Sequence, residues 1–180
     1  GGQLDFEVAE QHRPTVWVAG RGKQILRMAG EVADGVLIGS FATPLGIRYA
    51  KDLIAEGLER SGREWSDVGL ASWLYVSVLE DEDDDVPEGV RRGVSHALWS
   101  SRAVANELLE NVDLTSEDEF LAFMKDAPHE WSPPVMAELR RLIPRSVIEQ
   151  FAVVGTADQV AEQLIRLRDE GVQECIAWPF

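Results

Sequence analysis

The sequence predicts an α/β fold built on a parallel sheet, and three observations carry that prediction. The stretch VWVAGRGKQILRMAGEVADGVLIGS, Val16 to Ser40, reads as strand, glycine turn, helix, turn and strand. The same rhythm runs on through a second helix to a third strand ending at Leu79. After a long stretch without strand character it resumes at Phe151 and closes on a fourth strand at Trp178. Strands alternating with helices imply parallel pairing through right-handed crossovers.

Each element has a local reason. Thr15 to Ala19 is β-branched and aromatic, the composition of a buried strand. Gln24 to Ala33 has helical spacing, with Ile25, Met28, Ala29 and Val32 expected on the inward face. Asp34-Gly35 turns the chain into a second strand at Val36-Leu37-Ile38. Pro44 to Arg60 repeats the helical period, with Ala50, Leu53, Ile54 and Gly57 inward, and Ser61-Gly62 ends it. Leu70 to Leu79 is the third strand. The acidic run Glu80 to Asp85 reads as a solvated turn. Residues 81–150 read as a mostly helical insertion within a single domain of residues 1–180, because a structureless connection of that length is uncommon in a compact domain. Ser116 and Glu119 have capping-box spacing, as do Thr156 and Gln159 ahead of a helix with Val160, Leu164 and Leu167 inward. Gly171 ends that helix, and Glu174 to Trp178 follows as a strand. Residues 1–13 are polar and read as a linker or hairpin.

Composition narrows the function. A hydrophobic fraction of 45% with 27% charged residues is that of a soluble globular chain, and no apolar run is long enough to span a bilayer. The net charge of −15 argues against a nucleic-acid surface and against anionic lipid, both of which select clustered cations. One cysteine, Cys175, excludes an internal disulfide framework and fits a reducing, cytoplasmic compartment. GGQLDFEVAEQ lacks the cationic start and apolar core of a signal peptide.

The turn Gly20-Arg21-Gly22-Lys23 is the most informative chemistry. It joins the C-terminal end of a strand to the N-terminal end of a helix, where free amides and the helix dipole favour a phosphate. It is not a P-loop, since Trp17 and Gln24 stand where Gly and Ser or Thr are required. Nor is it a dinucleotide fingerprint, since Ile25 stands in place of the third glycine. A phosphate cradle and a plain tight turn with solvated cations both remain open from spacing alone. Other candidates fall away. The alternating Asp81, Asp83 and Asp85 lack the glycine and glutamate of a calcium loop, with Val86 and Arg92 in those places. His12, His96 and His129 are too scattered for a zinc site, so no metal is expected. Ser40 and Ser77 lack a nucleophile elbow. Cys175 reads as a buried packing thiol. Trp73, Tyr75 and Ser77 share one strand face and, with Trp178, form either plain core or the wall of a pocket for a flat ring. His96 and Arg91 or Arg92, on the first inserted helix, either close over a pocket or, as the default, lie on the surface.

Ala19 to Gly22, followed by Leu26 through Val36 with AGE-x-ADGV, resembles the luciferase-like monooxygenase superfamily. It is closest to the deazaflavin-dependent branch that includes the methylenetetrahydromethanopterin reductases. The tail FAVVGTADQVAEQLIRLRDEGVQECIAW resembles the same family's closing FA-x-x-GT-x-x-x-VAE-x-L segment. The resemblance implies a (β/α)8-barrel type fold of which this chain holds the last four βα units, with the helical insertion before the final strand. It implies that the loop after the family's fifth strand, here Gly20, Arg21, Gly22 and Lys23 with Gln24 beside them, contributes backbone amides to a cofactor phosphate. Barrel enzymes place their sites at strand C-termini, which directs substrate-side expectations to Gly39, Ser40, Trp73, Tyr75 and Trp178. The first four strands of the family carry most ring contacts, so no catalytic residue is assigned.

The implied function is part of an oxidoreductase that transfers a hydride between its cofactor and a small organic substrate. The cofactor is a deazaflavin coenzyme of the 8-hydroxy-5-deazaflavin type or FMN. A deazaflavin implies a reductase or dehydrogenase; FMN permits a monooxygenase. The alternative is a non-catalytic half-barrel acting as a binding or oligomerisation module. Four strands of a barrel leave two sheet edges open, so the expected partner is a missing N-terminal half or a second copy in a homo-oligomer.

Overall fold

The computed structural model of the chain describes residues 14–100, 117–126 and 132–180. Ser116, His12, His129 and the polar start at residues 1–13 lie outside the described residues. The strands are β1 (Trp17–Gly20), β2 (Gly35–Gly39), β3 (Gly69–Val78), β4 (Ala152–Gly155) and β5 (Glu174–Pro179). The helices are α1 (Lys23–Val32), α2 (Pro44–Ser61), α3 (Glu88–Ser100), α4 (Glu117–Asp126), α5 (Pro133–Leu142), α6 (Arg145–Phe151) and α7 (Ala157–Asp169).

All strand pairings are parallel, and β3 organises them. β1 pairs with β2, and β2 with the first half of β3, from Gly69 to Trp73. β4 takes the second half of that same edge, from Tyr75 to Val78. β5 runs along the opposite edge, matching Ala71 to Glu174 and Tyr75 to Trp178. The sequence did not suggest β4. Four consecutive apolar residues, all buried, are too few to show a period.

Side chains alternate across the sheet. Val36, Ile38, Leu70 and Leu74 lie in the core beneath the helices. Burying a side chain of this size contributes about 2 kcal/mol. The opposite face, called inner here, carries Trp17, Gly35, Leu37, Trp73, Tyr75, Ile176 and Trp178 in register. The Trp17 ring lies over Gly35 and Gly69, neither of which has room for a Cβ.

Helix α1 presents a different face from the one its periodicity suggests. Leu26, Ala29, Gly30 and Ala33 point inward, while Ile25, Met28 and Val32 are exposed. The cause is the α1–α2 crossing. A Cβ on Gly30 would strike the Ile54 carbonyl oxygen, and one on Gly57 the Arg27 carbonyl oxygen. Backbone contact at two glycines fixes the rotation of α1 and puts its small residues, not its large ones, against α2. At the end of α1, Asp34 ties three strand starts together. Its carboxylate accepts from the Val16 amide at 2.7 Å, and its carbonyl accepts from the Gly69 amide at 3.0 Å.

Thr43 caps α2, accepting from the Gly46 amide at 3.3 Å, and Gly62 ends it in the left-handed region at φ 67°. The Thr156–Gln159 capping box forms as the spacing predicts. The acidic turn Glu80 to Asp85 is exposed.

Candidate active site at the C-terminal ends of the strands

β1 runs into Gly20-Arg21-Gly22, and Gly22 is the N-cap of α1. No side chain caps this helix, and no acidic residue lies in its first turn. The Leu26 amide bonds to the Gly22 carbonyl, the first rung of the helix ladder, so the backbone amides ahead of it face out from the helix start. Gly22 has ordinary extended dihedrals, φ −74° and ψ 147°, and a Cβ there would meet nothing within 4 Å. Among the described residues, nothing in the packing requires a glycine at this position. α2 and α7, by contrast, are each closed by a threonine.

Arg21 is not a solvated cation. Its guanidinium turns inward past Gly39 and donates to the Ser100 hydroxyl at 2.8 Å, joining the loop to the last residue of α3. Burial lowers its pKa, and the nearby Tyr75 opposes that shift. Burial likewise pushes the Tyr75 phenol above the ordinary tyrosine range, while Arg21 and Ser40 pull it back.

Ser40 ends β2 with φ 55°, the only non-glycine described residue at positive φ. Its amide donates to the Trp73 carbonyl at 2.8 Å. Its hydroxyl is fully buried beside Tyr75 but completes no well-formed hydrogen bond. A serine held in the left-handed region is strained by roughly 1–3 kcal/mol.

The aromatic residues line a pocket rather than filling a core. A cleft of about 310 Å³ lies among Trp73, Tyr75, Trp178 and Phe180 below, with Arg92 and His96 of α3 above. Trp73 meets Tyr75 at 4.9 Å and Trp178 at 6.0 Å between ring centroids, both edge-on. α3 approaches this closely because of two glycines one turn apart. A Cβ on Gly89 would strike the Phe180 ring, and one on Gly93 the Tyr75 ring.

Of the residues singled out from sequence, Arg21, Gly39, Ser40, Trp73, Tyr75 and Trp178 converge here. Gly20, Gly22, Lys23 and Gln24 surround the start of α1. Two expectations are overturned. Arg91 is not on the surface but buried, donating to the Ile143 carbonyl at 2.8 Å, whereas Arg92 and His96 are exposed as expected and also border the cleft. Cys175 is exposed, not a packing thiol, because all six residues of β5 are exposed along the sheet edge. Ser100, Phe180 and the Gly89–Gly93 pair were not anticipated; the i, i+4 spacing of those glycines was the available signal.

A larger cleft of about 430 Å³ lies between the start of α2 and helices α6 and α7. Its arginines are neutralised locally, Arg145 by Glu149 and Arg166 by Glu162. Its lining comes from helices and the loop into α2, with Val154 the one strand residue, so the aromatic cleft, floored by β3 and β5, is the better site. Among the described residues, no group of His, Cys, Asp and Glu could hold a metal ion, and no helix is long and apolar enough to cross a membrane.

Comparison with known proteins agrees with this architecture. The chain is 24% identical over 160 residues to the 5,10-methylenetetrahydromethanopterin reductase of Methanopyrus kandleri, covering 89% of this chain and 43% of that one. It is 26% identical over 162 residues to the enzyme of the same name from Archaeoglobus fulgidus, covering 90% and 47%. Among solved structures, the coenzyme F420-dependent tetrahydromethanopterin reductase of Methanopyrus kandleri superposes with a TM-score of 0.70 at 21% identity, over 92% of this chain and 44% of that one. The chain thus spans less than half the length of these relatives. Residues 4–174, which include strands β1 to β4 and every described helix between them, match the luciferase-like monooxygenase family, and the chain belongs to that family.

Proposed function

We propose that this chain is the C-terminal part of a hydride-transferring oxidoreductase, and that its Gly20–Gln24 loop holds the phosphate of a deazaflavin coenzyme or FMN. The observation that carries this reading is the start of α1. It is an uncapped helix N-terminus at a strand end, beside a glycine that the packing of the described residues does not need. That arrangement suits an anion approaching the backbone closely. The bound coenzyme supplies the hydride chemistry. The chain's own residues bind and orient: the amides of Gly22 to Gln24 face the phosphate, Lys23 adds charge, and Trp73 and Trp178 flank the ring or the organic substrate. The relatives named as F420-dependent favour the deazaflavin. The remaining strands come from an N-terminal half or from a partner chain.

A second reading has one specific observation in its favour. Trp17, Ile176, Trp178 and Phe180 on the inner side are exposed by 42 to 54%, a surface suited to docking. A half-barrel retained as an assembly module would use that face without binding a coenzyme.

Fluorescence titration of the chain with the deazaflavin coenzyme, followed by FMN competition, separates the two. Saturable binding that Gly22→Val weakens about tenfold, with an unchanged unfolding midpoint, supports the loop assignment. Equal binding by both proteins removes the loop from the site. No binding to either cofactor favours the module.

A further inference from the structure

Arg21 differs from the ion-paired arginines of this acidic chain, and also from Arg63, which three backbone carbonyls satisfy. Arg27, Arg91 and Arg141 each meet a carboxylate, from Glu56, Asp85 and Glu138 respectively. Arg21 instead reaches a hydroxyl and a phenol, and no carboxylate among the described residues pairs with it. A half-buried guanidinium with only neutral partners favours an anion in its vicinity. Beside it stands the Ser40 hydroxyl, fully buried, held inward by a left-handed backbone and lacking a well-formed hydrogen bond. The Tyr75 phenol completes the corner, and the Tyr75 ring is also a wall of the aromatic cleft.

We propose that Arg21, Ser40 and Tyr75 form an oxyanion-holding corner at the end of the aromatic cleft, and that the organic ligand of this site is a flat, largely apolar molecule bearing one carboxylate. The carboxylate accepts from the guanidinium and the two hydroxyls, while the ring lies against Trp73 and Trp178. The phosphate role of the α1 amides is separate, because the Arg21 side chain points away from the helix start toward α3. The inference rests on reading this end of the sheet as the functional site.

The test is calorimetric titration of the chain with naphthoate and, separately, with the neutral naphthylmethanol. Naphthoate should bind about tenfold or more tightly than the alcohol, the expected gain from charge-assisted hydrogen bonds. Arg21→Met should erase that preference by weakening naphthoate binding about tenfold. Tyr75→Phe, which keeps the ring, should weaken naphthoate severalfold. Ser100→Ala removes the tie to α3 while keeping the guanidinium, so the preference should survive. Circular dichroism and unfolding midpoints verify that each variant is folded. Equal binding of the two probes, binding of neither, a preference that survives Arg21→Met, or one that Ser100→Ala abolishes would each overturn the proposal. Deazaflavin binding, measured in parallel, keeps the two readings apart. Coenzyme binding without naphthoate binding defeats this inference alone, and the reverse result defeats the coenzyme assignment alone.

Discussion

Between α1 and α2, Gly30 and Gly57 bring two helix backbones into contact; on α3, Gly89 and Gly93 make room for two aromatic rings. The first pair leaves no space, and its Gly30 lies in the most recognisable stretch of the sequence, AGE-x-ADGV. Every small residue of that stretch has a packing reason. Ala29 and Ala33 are fully buried, Gly30 touches α2, Asp34 ties strand starts, and Gly35 seats Trp17. The second pair borders a cleft, in a stretch with no recognisable signature. A family signature can therefore report how the scaffold is packed rather than where its clefts lie.

That contrast can be broken most forcefully at the helix crossing. Gly30→Val must push α1 off α2, and it should cost roughly 3 kcal/mol, at the upper end for overpacking. Urea unfolding would read this, and an unchanged midpoint would mean that the crossing is looser than described. At the cleft, Gly93→Ala gains about 1 kcal/mol of helix propensity but crowds the Tyr75 ring. The net stability loss should be about 1 kcal/mol, with a change in tryptophan fluorescence as Tyr75 moves against Trp73. A stable variant with an unaltered spectrum would detach α3 from the aromatic floor. The smallest effect is electrostatic. Arg21 favours the ionised phenol, so Arg21→Met should move Tyr75 to a still higher pKa. Tyr49 and Tyr75 are the two tyrosines of the chain, so a Tyr49→Phe background isolates the phenolate absorbance. A downward shift would reverse the sign of the assigned interaction.

Much of the scaffold was legible in the residues. Strand–turn–helix periodicity placed β1, α1, β2, α2 and β3, and the Thr156–Gln159 box marked the start of α7. The inward face of α1 was not legible, because hydrophobicity ranks Ile25 and Met28 above Gly30, whereas the crossing selects for smallness. β4 escaped because it is short. At the site, the phosphate-suited turn and the aromatic alternation could be read, since both depend on neighbours in sequence. The inward course of Arg21 could not be read, because its partners Tyr75 and Ser100 come from elements far along the chain.

The arrangement around β3 also bears on the order of folding. β1, β2 and β3 pair with near neighbours through α1 and α2, so that unit can assemble from local contacts. The other edge of β3 waits for β5. The bonds from the Leu70 amide to the Gln173 side chain, and from the Ser77 hydroxyl to the Phe180 carbonyl, each close a loop of 103 residues. Contacts of such separation form late, because the closure entropy precedes any gain. Trp178 and Phe180 arrive with β5, so half of the cleft's floor is missing from any early intermediate that holds only β1 to β3. Ligand-binding competence in a refolding experiment should therefore lag behind the appearance of helical signal.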